Sequence, residues 1–305
     1  MLAKYRIYGL CLESCIDLPE LVLTDGTTDV AIRYGHIENK LDDSEDEFAT
    51  TWATDDTVRL YYGGVGTFLI RHGTEIIIDA EENAPISVIR LAIIGPVISV
   101  ILHQRNFLVL HGSAVMIDGG AIGIMGNSGD GKSSLAASLQ QYGYDLVSDD
   151  LSVIDVDASG NFFLRPGYPQ LKLWPDLLES AGHNPDTLAR VSPYIEKRAK
   201  RLTDGFVSDS VPLTCLYVLA VGPDIDIKPI NGQEAFMHLI RHSHNALLLE
   251  ETHTSQQHFQ QCAALGKQIP IRSLTRPWSL DRMPEVIRTI EQDVQMLKYD
   301  VQRVS

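Results

Sequence analysis

Gly126-Asn127-Ser128-Gly129-Asp130-Gly131-Lys132-Ser133-Ser134 fits the pattern G-x-x-x-x-G-K-[ST], and its flanks are the ones that pattern needs. Ahead of it, Ala121-Ile122-Gly123-Ile124-Met125 is an apolar run that predicts a buried strand. Behind it, Leu135 and Leu139 stand four apart within Ser134 to Gln141, the spacing of one helix face. Strand, glycine loop and helix together make a cradle for phosphate. The glycines let successive backbone N–H groups curl around an anion, and the helix N-terminus adds partial positive charge. In such a cradle Lys132 reaches the β- and γ-phosphates and the Ser133 hydroxyl ligates Mg²⁺. The stretch predicts a bound nucleoside triphosphate.

Working outward, a chain of 305 residues suggests two domains, each long enough to bury a core. The formal charge of −15 argues against nucleic acid or an anionic membrane as the main partner, because phosphate repels such a surface. Cys11, Cys15, Cys215 and Cys262 form no C-x-x-C pair, which points to reduced thiols rather than disulfides or a zinc site. The N-terminus lacks a basic region followed by an apolar run and a cleavage site. The longest apolar stretch, Ala84 to Leu102, carries Arg90 in its middle and Gly95-Pro96 after it. Its clean part is too short to span a bilayer, so it reads as a buried helix, kinked or broken near Pro96. A cytoplasmic protein is expected.

Residues 1–82 read as a β-rich unit that recognises a substrate, and 83–305 as the catalytic domain, with helix 84–102 as the bridge. Within the first unit Tyr5 to Leu10, Val30 to Tyr34, Val58 to Tyr62, Thr67 to Arg71 and Glu75 to Ile78 have strand character, and His72-Gly73 is a hairpin turn. Asp42 to Glu47 is an acidic run in a loop. In the second unit Phe107 to Leu110 is a strand ending at His111-Gly112-Ser113-Ala114. Asp145 to Ser148 is a short strand ending in Asp149-Asp150, and Leu151 to Val156 with Asn161 to Leu164 forms a hairpin. Arg165 to Pro175 is broken by prolines, and Tyr168 and Trp174 in it read as core positions. Glu196 to Arg201 is a basic cluster that reads equally as a solvated helix face or as a grip for phosphate or a peptide carboxylate.

Asp149-Asp150 is the second informative feature. A carboxylate at a strand end can hold the Mg²⁺ that bridges the phosphates, and its neighbour can take a proton from an attacking hydroxyl. Strand alternation would point the two side chains apart. His111 could sit against the base and tune it.

His111-Gly112-Ser113-Ala114-Val115, then Gly126 to Ser134, then Leu146-Val147-Ser148-Asp149-Asp150 together resemble the catalytic domain of HPr kinase/phosphorylase. The resemblance implies an α/β fold, a P-loop kinase core of the HPr kinase and phosphoenolpyruvate carboxykinase type, with ATP and Mg²⁺ as cofactors. It implies phosphate transfer to a protein serine, and a homo-oligomer, since the family forms hexamers. Matched by residue, Asp149 is the general base, His111 its partner, Asp150 a magnesium carboxylate and Ser133 the second magnesium ligand; the order of the two aspartates stays open. Ser134 stands where the family has an acidic residue, and Arg165-Pro166-Gly167-Tyr168-Pro169 replaces its glycine-rich phosphorolysis signature, which implies kinase without phosphorylase. This segment, Pro212-Leu213 and the β-rich N-terminal unit are similar to the kinases of lasso-peptide biosynthesis, which phosphorylate a precursor's C-terminal serine. The expected partner is a peptide or small protein. Arg165, Lys197 and Arg198 are candidates to grip phosphate or a peptide carboxylate, since guanidinium pairs bidentately with such groups.

Two other readings are carried. Asn39-Lys40-Leu41-Asp42 matches N-K-x-D and Asp157-Ala158-Ser159-Gly160 matches D-x-x-G, an order that fits a circularly permuted GTPase. Asp157 to Gly160, however, reads as a hairpin turn. A non-catalytic nucleotide-binding regulator would bind ATP and lose nothing when Asp149 is changed.

Overall fold

Alternation governs the first eight strands. A computed structural model describes residues 2–38, 50–54, 56–245, 252 and 254–304. The N-K-x-D match at Asn39 to Asp42 and the acidic run from Asp42 to Glu47 lie outside the described residues. The strands are β1 (Ala3–Ile7), β2 (Leu10–Ser14), β3 (Val22–Leu23), β4 (Val30–Tyr34), β5 (Thr50–Ala53), β6 (Thr57–Tyr62), β7 (Gly66–Arg71) and β8 (Glu75–Ala80). They form one sheet in the order β3-β1-β2-β4-β8-β7-β6-β5. β6 and β8 bury alternate residues, while β7 between them is buried on both faces from Gly66 to Ile70. The segment expected as one strand from Tyr5 to Leu10 is instead a hairpin. Tyr8 and Gly9 both take positive φ, 51° and 74°, the backbone of a two-residue turn whose twist matches its flanking strands. His72 and Gly73 do the same between β7 and β8, as expected.

Helix α1 (Ile86–Ala92) runs through a π turn (Ile93–Val97) into α2 (Ile98–Gln104). The distortion falls at Gly95-Pro96, because proline lacks the N–H that an α-helical ladder needs. Gly95 takes a non-helical backbone, φ −116° and ψ −106°, so α1 and α2 meet across a kink, as expected. Taken together, the 19 residues from Ile86 to Gln104 are nonetheless long and apolar enough to cross a bilayer by length and composition, where the sequence suggested too short a run. More than half of this stretch is buried inside the fold. Ile93, Val97, Ile98 and Ile101 join Ile7, Leu12, Phe68 and Ile70 of the sheet in one apolar core, which also takes in Val109, Leu151 and Val153 from the next sheet.

That second sheet is built from β9 (Leu108–Ile117), β10 (Gly120–Met125), β11 (Asp145–Ser148), β12 (Leu151–Val156) and β13 (Phe162–Arg165), with three later strands. A small third sheet comprises β14 (Gln170–Leu173), β15 (Arg190–Ser192) and β16 (Ile195–Arg201). The later strands of the second sheet are β17 (Val211–Val221), β18 (Asp226–Ile230) and β19 (Ile271–Arg276). The pairings β10-β9-β12-β13-β17 close on themselves, because β17 also lies parallel to β10. Alternation along β10 sends Ile122 and Ile124 to one face and Ala121 and Met125 to the other. On the first face lie α3 (Lys132–Gln141) and, later in the chain, α7 (Met283–Val304); α4 (Pro175–Ser180) is a short helix beside them. On the second lie α5 (Gly232–Arg241) and α6 (Ser255–Gln268). The chain is a mixed α/β protein with large sheets.

Candidate active site

The glycine loop lies between the end of β10 and the start of α3, as its sequence predicts. Two glycines take the left-handed region, Gly129 at φ 91° and Gly131 at 85°. At Gly131 the positive φ alone strains any larger residue, and a Cβ would also have to push aside the Arg276 guanidinium that holds the loop. The loop is held from outside, where Arg276 Nη2 donates to the Asp130 carbonyl at 3.0 Å, and from within, where the Asn127 N–H donates to Asp130 Oδ2. Lys132 Nζ donates to the carbonyls of Gly126 and Asn127, each at 2.9 Å. Among the described residues its ammonium bonds no carboxylate. Burial lowers the Lys132 pKa, with the nearby Asp130 charge opposing.

His111 and Gly112 mark the point where β9 changes partner. Residues 108–111 pair with β12, and residues 112–117 pair with β10 along one edge and, at 114–116, with β11 along the other. A Cβ on Gly112 would meet the Ile124 carbonyl at 2.7 Å, so the strand crosses there only because the residue is glycine. The expected strand end at His111 is thus a crossover inside one ten-residue strand. From this point His111 Nδ1 and the Gly112 N–H both bond the Asp150 carbonyl, each at 3.1 Å. His111 therefore touches the backbone of the carboxylate pair, and burial lowers its pKa, with Lys132 adding to the shift.

Asp149 and Asp150 follow β11 in a turn, and what separates their side chains is a left-handed residue, Asp150 at φ 75°, rather than strand alternation. Asp149 is 4% exposed. It accepts hydrogen bonds from Ser113 Oγ at 2.8 Å and the Lys172 N–H at 3.1 Å. Burial and the charge of Asp150 raise its pKa. The Asp150 side chain is 31% exposed and is ion-paired with Lys172 Nζ. Burial pushes its pKa up, but the Lys172 charge and hydrogen bond win, aided by Lys197 and His111, and hold it at about 2.

A pocket of about 150 Å³ opens over these groups, walled by His111, Lys132, Ser133, Asp150, Lys172 and Lys197, with Ser128, Gly129, Gly131 and Ser134 from the loop. Asp149 lies behind it. Lys197 is brought there because Glu196 to Arg201 is a strand, β16, not the expected helix face. Its twofold period sends Lys197 to the pocket and Arg198 away, where Nε donates to the Pro185 carbonyl at 3.1 Å. Arg165 is not in the pocket either. It pairs with Asp155 at 2.6 Å, lies over the Phe107 ring and donates to the Tyr8 carbonyl at 3.2 Å, tying the first hairpin to β13. Tyr168 is core, as expected, but Trp174 is 52% exposed and stands at the pocket rim. Asp157 to Gly160 is the expected hairpin turn, with Asp157 accepting from the Ser159 and Asn161 N–H groups at 2.8 Å.

Sequence reasoning passed over Lys172, Ser113, Arg276 and Trp278. Only Lys172 had a local signal, the alternation of Gln170 and Lys172 against Leu171 and Leu173; the others come from strands and turns distant in sequence.

Together these features define a mixed α/β protein with a pocket lined by a glycine loop, two lysines besides Lys132 and the Asp150 carboxylate. No family model and no curated protein matches the chain. A solved structure of the HPr(Ser) kinase/phosphatase from Coxiella burnetii overlaps 63% of this chain and 98% of its own, at 15% identity and a TM-score of 0.35. An overlap that loose carries no argument, and the reading below rests on the site.

Proposed function

We propose that this chain is an ATP- and Mg²⁺-dependent phosphotransferase, with a P-loop kinase core, that phosphorylates a serine of a peptide or small protein. The observation that carries the reading is the convergence on one pocket of Lys132, Ser133 and the Asp149-Asp150 turn. The donor set fits the cofactors. Lys132 is tied, among the described residues, only to loop carbonyls, which leaves its charge for phosphate. Among the described residues no cluster of three or more His, Cys, Asp or Glu side chains is placed to hold a metal. Mg²⁺ needs no such cage, because it takes one or two protein oxygens and completes its shell with water and phosphate. When bound, it neutralises charge on the phosphates.

The geometry favours exchanging the roles that the family match gives the two aspartates. Asp149 is buried and both its oxygens are already bonded, Oδ1 by the Ser113 hydroxyl and Oδ2 by the Lys172 N–H, so it is the less open of the two to an acceptor hydroxyl and can support a metal site from behind. Asp150 faces the pocket and is held ionised by Lys172, so it is the group placed to take the acceptor hydroxyl's proton. A weak base suffices for phosphoryl transfer, whose loose transition state asks little of the nucleophile. His111 fixes the turn through the Asp150 carbonyl.

A peptide acceptor is supported by a second cleft of about 250 Å³, which Lys172 also lines. Glu20 from the 1–82 unit, Arg90 of α1, and Arg190 and Arg201 of the third sheet line it as well, with Arg90 paired to Glu20, Arg190 to Glu196 and Lys172 to Asp150, a polar wall that suits a peptide backbone and polar side chains. In this account residues 1–82 recognise the acceptor and 83–305 transfer phosphate. The finer reading, the C-terminal serine of a lasso-peptide precursor, rests on sequence resemblance alone. Calorimetric titration with ATP and Mg²⁺ tests the first step. Lys132→Ala is expected to weaken binding tenfold or more, and undiminished affinity would remove the phosphate site from the account.

A further inference from the structure

Trp174 and Trp278 are 52% and 63% exposed, although each ring carries enough apolar area to favour burial. They come from separate parts of the chain, the N-terminus of α4 and the turn after β19, yet both line the phosphate pocket. Both also line an adjoining cleft of about 190 Å³, and Ser134, in the first turn of α3, is the third residue the two cavities share. Beyond the tryptophans the cleft is walled by Leu177, Leu280 and Met283, with Asp176, Arg276 and Ser279 as its polar groups. Each ring is steadied by a cation. The Lys197 ammonium lies 5.7 Å from the Trp174 centroid, and the Arg276 guanidinium 5.5 Å from that of Trp278. Arg276 also holds the glycine loop at Asp130, so the Trp278 ring and the loop are positioned by one side chain.

An apolar cleft with two open aromatic faces, beginning where a phosphate cradle ends, has the composition of a nucleoside site. We infer that it takes the base and ribose of the nucleotide, with the base, a purine by its larger stacking area, against Trp174 and Trp278. The inference rests on the phosphate-site reading above. Stacking is tolerant of base identity, because every base has a π-face. The Asp176 carboxylate adds a preference for a base edge that donates, as the amino groups of adenine and guanine do.

The test is calorimetric titration of the full chain with ATP and with inorganic tripolyphosphate, each with Mg²⁺, in the wild type, Trp174→Ala, Trp278→Ala and Trp174→Phe. The wild type is expected to bind ATP about tenfold or more tighter than tripolyphosphate. Each alanine variant is expected to lose most of that margin through ATP alone, and Trp174→Phe to keep it. Equal binding of the two ligands by the wild type, or a margin that survives in both alanine variants, overturns the nucleoside cleft while leaving the glycine loop intact. A parallel loss of ATP and tripolyphosphate in Trp174→Ala, which does not touch the loop, would make the ring a structural support and overturn it too. Failure of either ligand to bind the wild type removes the phosphate site itself, and the cleft with it.

Discussion

Lys172 divides the work of two adjacent carboxylates. With its stem buried and its ammonium on Asp150, it holds that carboxyl at about 2, while burial and the Asp150 charge push Asp149 the other way. Acid and base roles are set apart by just such opposed environments. In the proposed transfer Asp150 is therefore ionised at neutral pH, and its protonation would limit the reaction only near pH 2. Lys172→Met removes the cation, and the Asp150 pKa is expected to rise to the ordinary carboxylate range, about 4, or above. Activity at each pH requires the ionised form, so the acid limb of kcat/KM moves upward into the measurable range in this variant alone. An unchanged profile would separate Lys172 from the chemistry. That Lys132, Ser133 and Asp150 would meet at one pocket was legible in sequence, because a glycine loop ahead of a helix and a carboxylate at a strand end are local patterns. Lys172 was not, since nothing in Gln170-Leu171-Lys172-Leu173 says which strand lies opposite Asp150.

At the scale of elements, β9 does most to assemble the site, since it lends one half to β12 and the other to β10. Gly112 permits the crossing. Gly112→Ala would place a methyl group 2.7 Å from the Ile124 carbonyl, a backbone atom that cannot swing aside. The expected cost is that of core overpacking, about 1–3 kcal/mol, read as a lower denaturant midpoint. A midpoint equal to wild type would show that β9 can yield there. Most strands of both large sheets were legible from alternation and turn residues. Two elements were misread for definite reasons. Tyr8-Gly9 sits in an unbroken apolar run, so only the positive φ values of the structure reveal the turn. Glu196 to Arg201 is rich in charge, and charge hides the twofold period that places Lys197 and Arg198 on opposite faces.

Across the whole molecule, buried histidines collect where α2, the start of β9, and the α5 and α6 pair meet. His103, His242 and His244 are each lowered by burial to about 4, and His103 Nε2 bonds the His244 carbonyl at 2.8 Å. In the unfolded chain the same rings titrate near about 6.5. Between these values the unfolded state binds more protons, so stability rises with pH there and is lost as pH falls below about 6.5 toward 4. Denaturation at pH 7.5 and at pH 5 is expected to show a lower midpoint at pH 5, with a smaller difference in His103→Gln. Equal midpoints would mean that these rings are charged in the folded protein. The glycine loop, the aspartate turn and the two clefts that share walls with their pocket make one account, in which phosphate passes to a peptide serine beside Asp150. The most direct test is incubation with ATP, Mg²⁺ and the product of a short open reading frame encoded beside this one, followed by mass spectrometry. The account predicts a gain of about 80 Da, the mass of one phosphoryl group as in serine phosphorylation, on a serine, lost in Asp150→Asn while ATP still binds. Full transfer by Asp150→Asn would contradict it.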